Sequence, residues 1–303
     1  MNKFMQTAAL CTGIGILLPL PVSALTVYSQ SGVDAAAIQT TVDAFRADLG
    51  TNNGLGPCVG GCAPGVGRRE INWDAVTDAF SSGGANPFPG NFFNLAAGSP
   101  AGRVRGAQFS SSGTFEVSAD ADSNGDGNSG PTAILFGNHT PDNAVDFAAF
   151  SAERIFGLIG TNEMDVTFSV PGSPLTRGLV RGFGAVFTDV ELAGAVRLDF
   201  FDANDSLLHS EAAPAFSFAG PDSFKSFSFV GVSFASAQVS RVHIVNGGFD
   251  LNLQQFGLSD AAAMDDFIYG EPAPVPLPAA AWLFGAALFG LRLRRQVMDS
   301  TAI

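Results

Sequence analysis

The chain has 303 residues, 46% of them apolar, and its 28 acidic side chains outnumber 15 basic ones for a net charge of −13. Four of those cations, Lys3, Arg292, Arg294 and Arg295, lie at the two ends, so the body between them is more acidic still. Such a surface excludes a general nucleic-acid binder, because phosphate contacts need a basic face; it suits a solvated surface protein or one that attracts cations.

Taken in chain order, residues 1–24 combine Lys3, the apolar run "AALCTGIGILLPL" and the small residues of "PVSA" before a cut after Ala24. That three-part pattern is a secretory signal peptide, with the Sec export machinery as the expected partner. Residues 33–49, "VDAAAIQTTVDAFRADL", place Val33, Ala37, Ile38, Val42, Phe45 and Leu49 at close to helical spacing, and Gly50 supplies the stop. A Gly/Pro/Asn loop over 50–67 follows, holding Cys58 and Cys62 in "CVGGC". In an oxidising compartment this pair reads as a local disulfide pinching the loop, since it lacks the CxxC spacing and the nearby histidines of a redox or metal site. The stretch up to 103 is poorly periodic and reads as an irregular wrap, so that 25–103 forms a helix and disulfide loop around a core spanning 104–271. Trp73 in "INWDAV" is a packed anchor or, with Tyr28 and Tyr269, a sugar-stacking platform.

From about 104 the pattern changes to short strands separated by turns such as "VPGSP", "DAND" and "NGG". The candidate strands are "RVRGAQF", "TFEVSA", "TAILFG", "MDVTFSV", "RGFGAVFTDVEL", "AVRLDFFDA", "AFSF", "SFKSFSFVGVSF", "VSRVHIV" and "DDFIYG". Many short strands with one helix predict a mainly β protein, an antiparallel β-sandwich of jelly-roll type. In "SFSFVGVSF" the apolar phase slips at Gly231, which predicts a bulge there. The 28 phenylalanines, against two tyrosines and two tryptophans, are core stock.

Chemistry is sparse. His139, His209 and His243 lie far apart in sequence, and His243, alternating with Val242 and Ile244, points away from their face. Gly-x-Ser-x-Gly, P-loop and His-Glu-x-x-His motifs are absent from the body, so a non-catalytic protein is expected. A cryptic glycan hydrolase would need only two well-separated carboxylates, which sequence does not reveal. In "DADSNGDGNSG", Asp120, Asp122, Asn124 and Asp126 alternate as oxygen ligands do in the first half of an EF-type calcium loop. The second half departs from it: the twelfth position is Pro131 and no helices flank the loop, so an Asx-rich surface turn is the competing reading. In "AMDDFIYG", strand alternation points one of Asp265 and Asp266 inward, where a structural calcium ion, an arginine such as Arg181 or a water-exposed strand end must offset its charge.

The C-terminal stretch "VPLPAAAWLFGAALFGLRLRR" sets Val275, Pro276, Leu277 and Pro278 before an apolar run and then Arg292, Arg294 and Arg295. A helix over 279–291 is about 20 Å long, short against a hydrocarbon core of ~30 Å, and the arginines would stay cytoplasmic while the body faces out. Motif, apolar helix and basic cluster in this order resemble the PEP-CTERM sorting signal of Gram-negative bacteria, in its Val-Pro-Leu-Pro form, over 272–303. The resemblance implies an exosortase as partner, transient inner-membrane anchoring by the C-terminal helix, and delivery to the cell surface or extracellular matrix, with exopolysaccharide as a neighbour. The segments "GRREINWD", "PGNFFN", "RGFGAVFTDVEL" and "MDDFIYGEP" resemble uncharacterised secreted bacterial proteins with the same signal, which implies one jelly-roll-type unit over 26–271 and a structural or adhesive role; a lectin-like glycan-binding module is the alternative. An acidic residue on the last strand of such domains often helps to hold a structural calcium.

Overall fold

The structure, a computed structural model, describes residues 24–57, 63–81, 87–119, 134–216, 225–252 and 261–276. Residues 1–23 of the signal peptide, the cysteine pair, the Asp120–Asp126 loop, Leu277, Pro278, the apolar C-terminal run and the terminal arginines lie outside them. Among the described residues no helix is long and apolar enough to cross a membrane.

The elements are β1 (Leu25–Gly32), α1 (Ala35–Leu49), β2 (Arg68–Ile71), β3 (Ala107–Ser110), β4 (Thr114–Val117), α2 (Asn143–Asp146), β5 (Phe156–Ile159) and β6 (Glu163–Val170). They continue with β7 (Ser173–Leu179), β8 (Gly182–Thr188), β9 (Arg197–Phe201), β10 (Leu207–Ala212), β11 (Phe227–Phe234), β12 (Arg241–Val245), β13 (Ala263–Gly270) and β14 (Ala273–Pro274). One sheet runs β1-β11-β8-β13-β5-β4 with β2 also on β13; the other runs β10-β9-β12-β6-β7-β14 with β3 on β6. The ladders between these strands are antiparallel. The protein is therefore mainly β, as its short alternating runs predict. The segment before 104 does more than wrap this core, because β1 and β2 pair with β11 and β13 inside the first sheet.

The two sheets share one core. Phe183, Phe187, Val232 and Phe267 of the first meet Val166, Leu198, Phe200 and Ile244 of the second, and Phe168–Tyr269 and Phe200–Phe234 ring contacts bridge them at 5.5 and 5.8 Å. This is a β-sandwich-like arrangement. Strands of the second sheet alternate buried and half-buried residues, as in β9 and β12, because their outer face meets water. Central strands β8, β11 and β13 of the first sheet are buried at every position.

Helix α1 is the reason. Asp34 caps it by accepting a hydrogen bond from the Ala37 N–H (2.9 Å), and Gly50, at φ 98°, closes it. Its apolar stripe, Ile38, Val42, Phe45 and Leu49, packs on Val186, Phe227, Phe229 and Ile268 across the outer face of the first sheet. This corrects the bulge expected at Gly231. Register runs unbroken through β11 against both neighbours. Phe227 and Phe229 face the helix, whereas Val230, Val232 and Phe234 face the other sheet. An apolar set on each side needs no phase slip. Gly231 instead sits opposite Gly184 beneath the Phe45 ring, where an added Cβ would lie 3.1 Å from Phe45 and 3.0 Å from Phe229. Glycine there permits close approach of helix to sheet.

The described part of "TAILFG", residues 134–137, is a turn and not a strand. Leu135 and Phe136 adopt φ of 50° and 64°, a left-handed path that a pleated strand forbids. The turn drives Phe136 into a small separate core with Phe147, Ile155 and Leu251. Likewise the run after Gly182 ends at Thr188, because Asp189 turns the chain at φ 65°.

Candidate functional site

The acidic pair of β13 sits at a bulge. Met264 pairs with Phe187 and Phe267 with Ala185, so β13 carries one residue more than β8 across this step. Met264 and Phe267 consequently both enter the inter-sheet core. Asp265 and Asp266 turn together toward the helix side, which corrects the expectation that alternation would send one carboxylate inward and the other out. Both are buried, at 0% and 3% exposure.

Their compensation comes from the protein. The Asp265 carboxylate accepts the backbone N–H groups of Phe150 (2.5 Å) and Ser151 (3.2 Å) on one oxygen. The Asp266 carboxylate accepts Arg46 Nη2 at 2.8 Å, and Arg46 also reaches Glu70 at 2.9 Å. Ser151 Oγ lies 2.8 Å from Asp266 and 3.2 Å from Asp265. A hydroxyl has one proton to donate, and the shorter contact assigns it to Asp266. Burial first, and the Asp266 charge second, push the Asp265 carboxyl well above the usual carboxylate range. Burial raises the Asp266 carboxyl as well, with Ser151 and Arg46 opposing. Asp74 completes the group: it accepts Asn72 Nδ2 (2.7 Å) and the Arg154 N–H (3.2 Å), and burial raises its carboxyl too.

This donor set does not fit calcium. The Arg46 guanidinium stands as the cation, the oxygens are taken up by N–H and O–H donors, and among the described residues no three His, Cys, Asp or Glu side chains converge to hold a metal ion. Arg181, the arginine expected to serve, pairs with Asp48 at 2.7 Å instead. Shielded from water, neither aspartate is open to a substrate, and their role is to lock β13, α1 and the loop at 150–151 together.

Trp73 is the packed anchor. It is 1% exposed, lies flat on Phe156 at 4.1 Å and 3°, and donates Nε1–H to the Asp265 carbonyl at 3.1 Å. It offers no ring face to a sugar. Tyr269 is fully buried, with its hydroxyl on the Arg105 carbonyl, and Tyr28 is half-buried against Phe45. No family model matches the chain, and neither a curated protein nor a solved structure matches it.

The histidines, isolated in sequence, each find a carboxylate: His139 with Glu116 at 2.8 Å, His209 with Glu211 at 2.9 Å and His243 with Asp165 at 3.0 Å. His243 does point away from the buried Val242 and Ile244, and its other ring nitrogen lies 3.8 Å from Glu163. Both its nitrogens thus face acids, although Ser110, Ser111 and Ser112 lie nearby.

Sequence reading missed a fully buried ion pair. Arg69 and Glu271, 0% and 1% exposed, meet through two bonds, Nε–Oε2 at 2.7 Å and Nη2–Oε1 at 3.0 Å. Asn53 adds a third donor to Glu271 at 2.8 Å. The clamp holds the chain just after β13, ahead of Val275, whose N–H reaches the Arg177 carbonyl at 3.2 Å. Two adjacent arginines in "GRREI" look alike in sequence; only the pleat of β2 sends Arg69 inward while Arg68 stays at the surface with Glu70.

One carboxyl titrates where it matters. Asp146 of α2 is pushed up to about 6, by burial first and then by Asp142 and Glu191, with Lys225 opposing. A carboxyl that holds its proton more tightly when folded stabilises the fold at low pH, and that contribution is lost as pH rises from ~4 through its raised value. Asp146→Asn is therefore expected to be neutral near pH 4. At pH 7.5 it should raise stability by ~1 kcal/mol, allowing for solvent screening of a half-buried group. Thermal melting at the two pH values checks this; a gain equal at both would refute it.

Proposed function

We propose that this chain is an exported surface or matrix protein whose C-terminal signal is processed by an exosortase, and that its β-sandwich body does structural or adhesive rather than catalytic work. The single observation that carries the reading is the fit between the folded body and the two sequence signals. Strand β1 begins at Leu25, immediately after the expected signal-peptide cut. The last described strand, β14, ends at Pro274, where "VPLP" begins. Cuts at the two signals would leave every described strand and the Arg69–Glu271 clamp in place. Sheet neighbours far apart in the chain, such as β1–β11 and β8–β13, favour a jelly-roll assignment for the sandwich. The apolar run over 279–291 would be the transient membrane helix.

The test is mass spectrometry of the mature termini with cell fractionation, in a host with and without an exosortase. The expected product begins at Leu25, ends near the Val275–Pro278 motif and leaves the cell membrane only when the exosortase is present. A cytoplasmic chain with both ends intact would overturn the reading, and an uncut chain in the inner membrane of both hosts would reduce it to a plain anchored protein.

Calcium belongs to this proposal at the Asp120–Asp126 loop, since arginine and backbone donors already serve Asp265 and Asp266. A weak extracellular-type site with Kd of ~10⁻⁴–10⁻³ M gives about 1.5–3 kcal/mol at 10 mM calcium, or a Tm gain of ~3–10 °C. Asp122→Asn should abolish the gain. A Tm indifferent to calcium removes the ion from the account.

A further inference from the structure

A cavity of about 340 Å³ opens between the segment at 72–80 and the segment at 92–105. Its walls are aromatic: Trp73, Phe80, Phe92 and Phe93. Two guanidinium groups stand over those walls, Arg103 at 4.2 Å from the Phe92 ring centroid and 5.3 Å from that of Phe80, and Arg105 at 5.2 Å from that of Phe93. Among the described residues no acidic side chain lines the cavity.

The charges are the anomaly. In this acidic chain Arg46, Arg68, Arg69, Arg181, Arg197 and Arg241 all pair with carboxylates. Arg103 and Arg105 do not, among the described residues. Arg103 makes one long bond, from Nε to the Phe92 carbonyl at 3.4 Å, and among the described residues its two terminal nitrogens have no hydrogen-bond partner. Arg105 is only 8% exposed; it donates Nε–H to the Gly102 carbonyl at 2.9 Å and Nη1–H to the Glu70 carbonyl, and its Nη2 has no hydrogen-bond partner among the described residues. Burial lowers the Arg105 guanidinium from its ordinary value and the nearby Arg69 adds to this, with Tyr269 and Glu70 opposing. An apolar cavity of this size with a few convergent polar groups is the general form of a small-molecule site, and a guanidinium fork matches a carboxylate in two parallel bonds.

We propose that this cavity binds a small amphiphilic carboxylate, its ring or short acyl body against Phe80, Phe92 and Phe93 and its carboxylate on the free edges of Arg103 and Arg105. The site is independent of sorting and export, and would give the body a ligand-carrying or sensing role besides its structural one.

The probe is 2-naphthoate, titrated calorimetrically into the purified full chain, with 2-naphthylmethanol as the neutral molecule of nearly equal shape. For a ligand of this size a Kd of ~100 µM is expected. The alcohol should bind at least ~10-fold more weakly, because it forms no charge-assisted bond. Arg103→Met should weaken naphthoate by ~10-fold with little effect on the alcohol, and Arg103→Lys should retain part of the affinity. Thermal melting of each variant establishes that it is folded, and the naphthoate-to-alcohol ratio on the unaltered chain decides the matter even if a variant is not. No saturable binding up to 2 mM, equal affinity for acid and alcohol, or unchanged affinity in a folded Arg103→Met chain would each overturn the proposal.

Discussion

Trp73→Ala is expected to cost ~3–5 kcal/mol of folding stability, the range for truncating a fully buried large aromatic. The indole stacks on Phe156 and meets Phe88, Phe93, Phe109 and Phe267 at centroid distances of 5.2–6.0 Å. Its N–H is also the partner of the Asp265 carbonyl, which would be left buried and unpaired. Against a typical total stability of ~5–15 kcal/mol, the variant would be marginal. Urea denaturation measures the loss; a change below ~1 kcal/mol would mean that the ring is not in the core. For the same reason this substitution is no clean test of glycan binding, since it destabilises the fold as it removes the ring.

Glu271→Gln is the second large effect. It keeps the shape but removes the charge opposite Arg69, leaving a fully buried guanidinium without a counter-ion. Breaking a buried pair from one side costs ~3–5 kcal/mol, more than the pair itself contributes, because the surviving charge is stranded. The double variant Arg69→Met/Glu271→Gln should therefore recover most of the loss, and a double-mutant cycle in urea reads the coupling. Equal losses in the single and double variants would contradict this account. Because Glu271 lies between β13 and the "VPLP" motif, the single variant should also expose the chain near 272–276 to protease more than the double variant does.

How far the sequence carried the fold depended on whether a signal was local. The helix over 33–49 was legible because spacing, cap and glycine stop all lie within one segment, and the structure forms it over Ala35–Leu49. Strands β6, β9, β11, β12 and β13 were legible as alternating or apolar runs. Strands β2, β7 and β10 were not: "RREI", "SPLTRGL" and "LLHSEA" are polar or proline-bearing, and they are strands because a neighbour offers a ladder. The same holds for the false signals. The apparent slip at Gly231 looked like a bulge because one sheet face was assumed to meet water, whereas α1 covers it. The real bulge, at Asp265–Asp266, carries no glycine and leaves no trace in the residue types.

At the candidate sites the division is sharper still. That a buried charge at Asp265–Asp266 needs an offset follows from the composition of the strand, but that the offset is Arg46 and two backbone N–H groups follows only from where α1 and the loop at 150–151 dock. The uncompensated Arg103 and Arg105 show the converse, since two arginines in "GRVRG" read as ordinary solvated charges until the rings of Phe80, Phe92 and Phe93 are seen beneath them.

By itself the sequence determined the acidic character of the body, its mainly β class and its helix over 33–49, because each of these is written in composition or local period, while the export and sorting signals at its ends belong to the proposal. Only the tertiary structure decided which sheet face the helix covers, which arginine meets which acid, that Trp73 is core and that two guanidinium groups overlook an aromatic cavity. Those outcomes depend on pairing between segments more than two hundred residues apart, such as Arg69 with Glu271 and Arg46 with Asp266, and no local pattern encodes the partner.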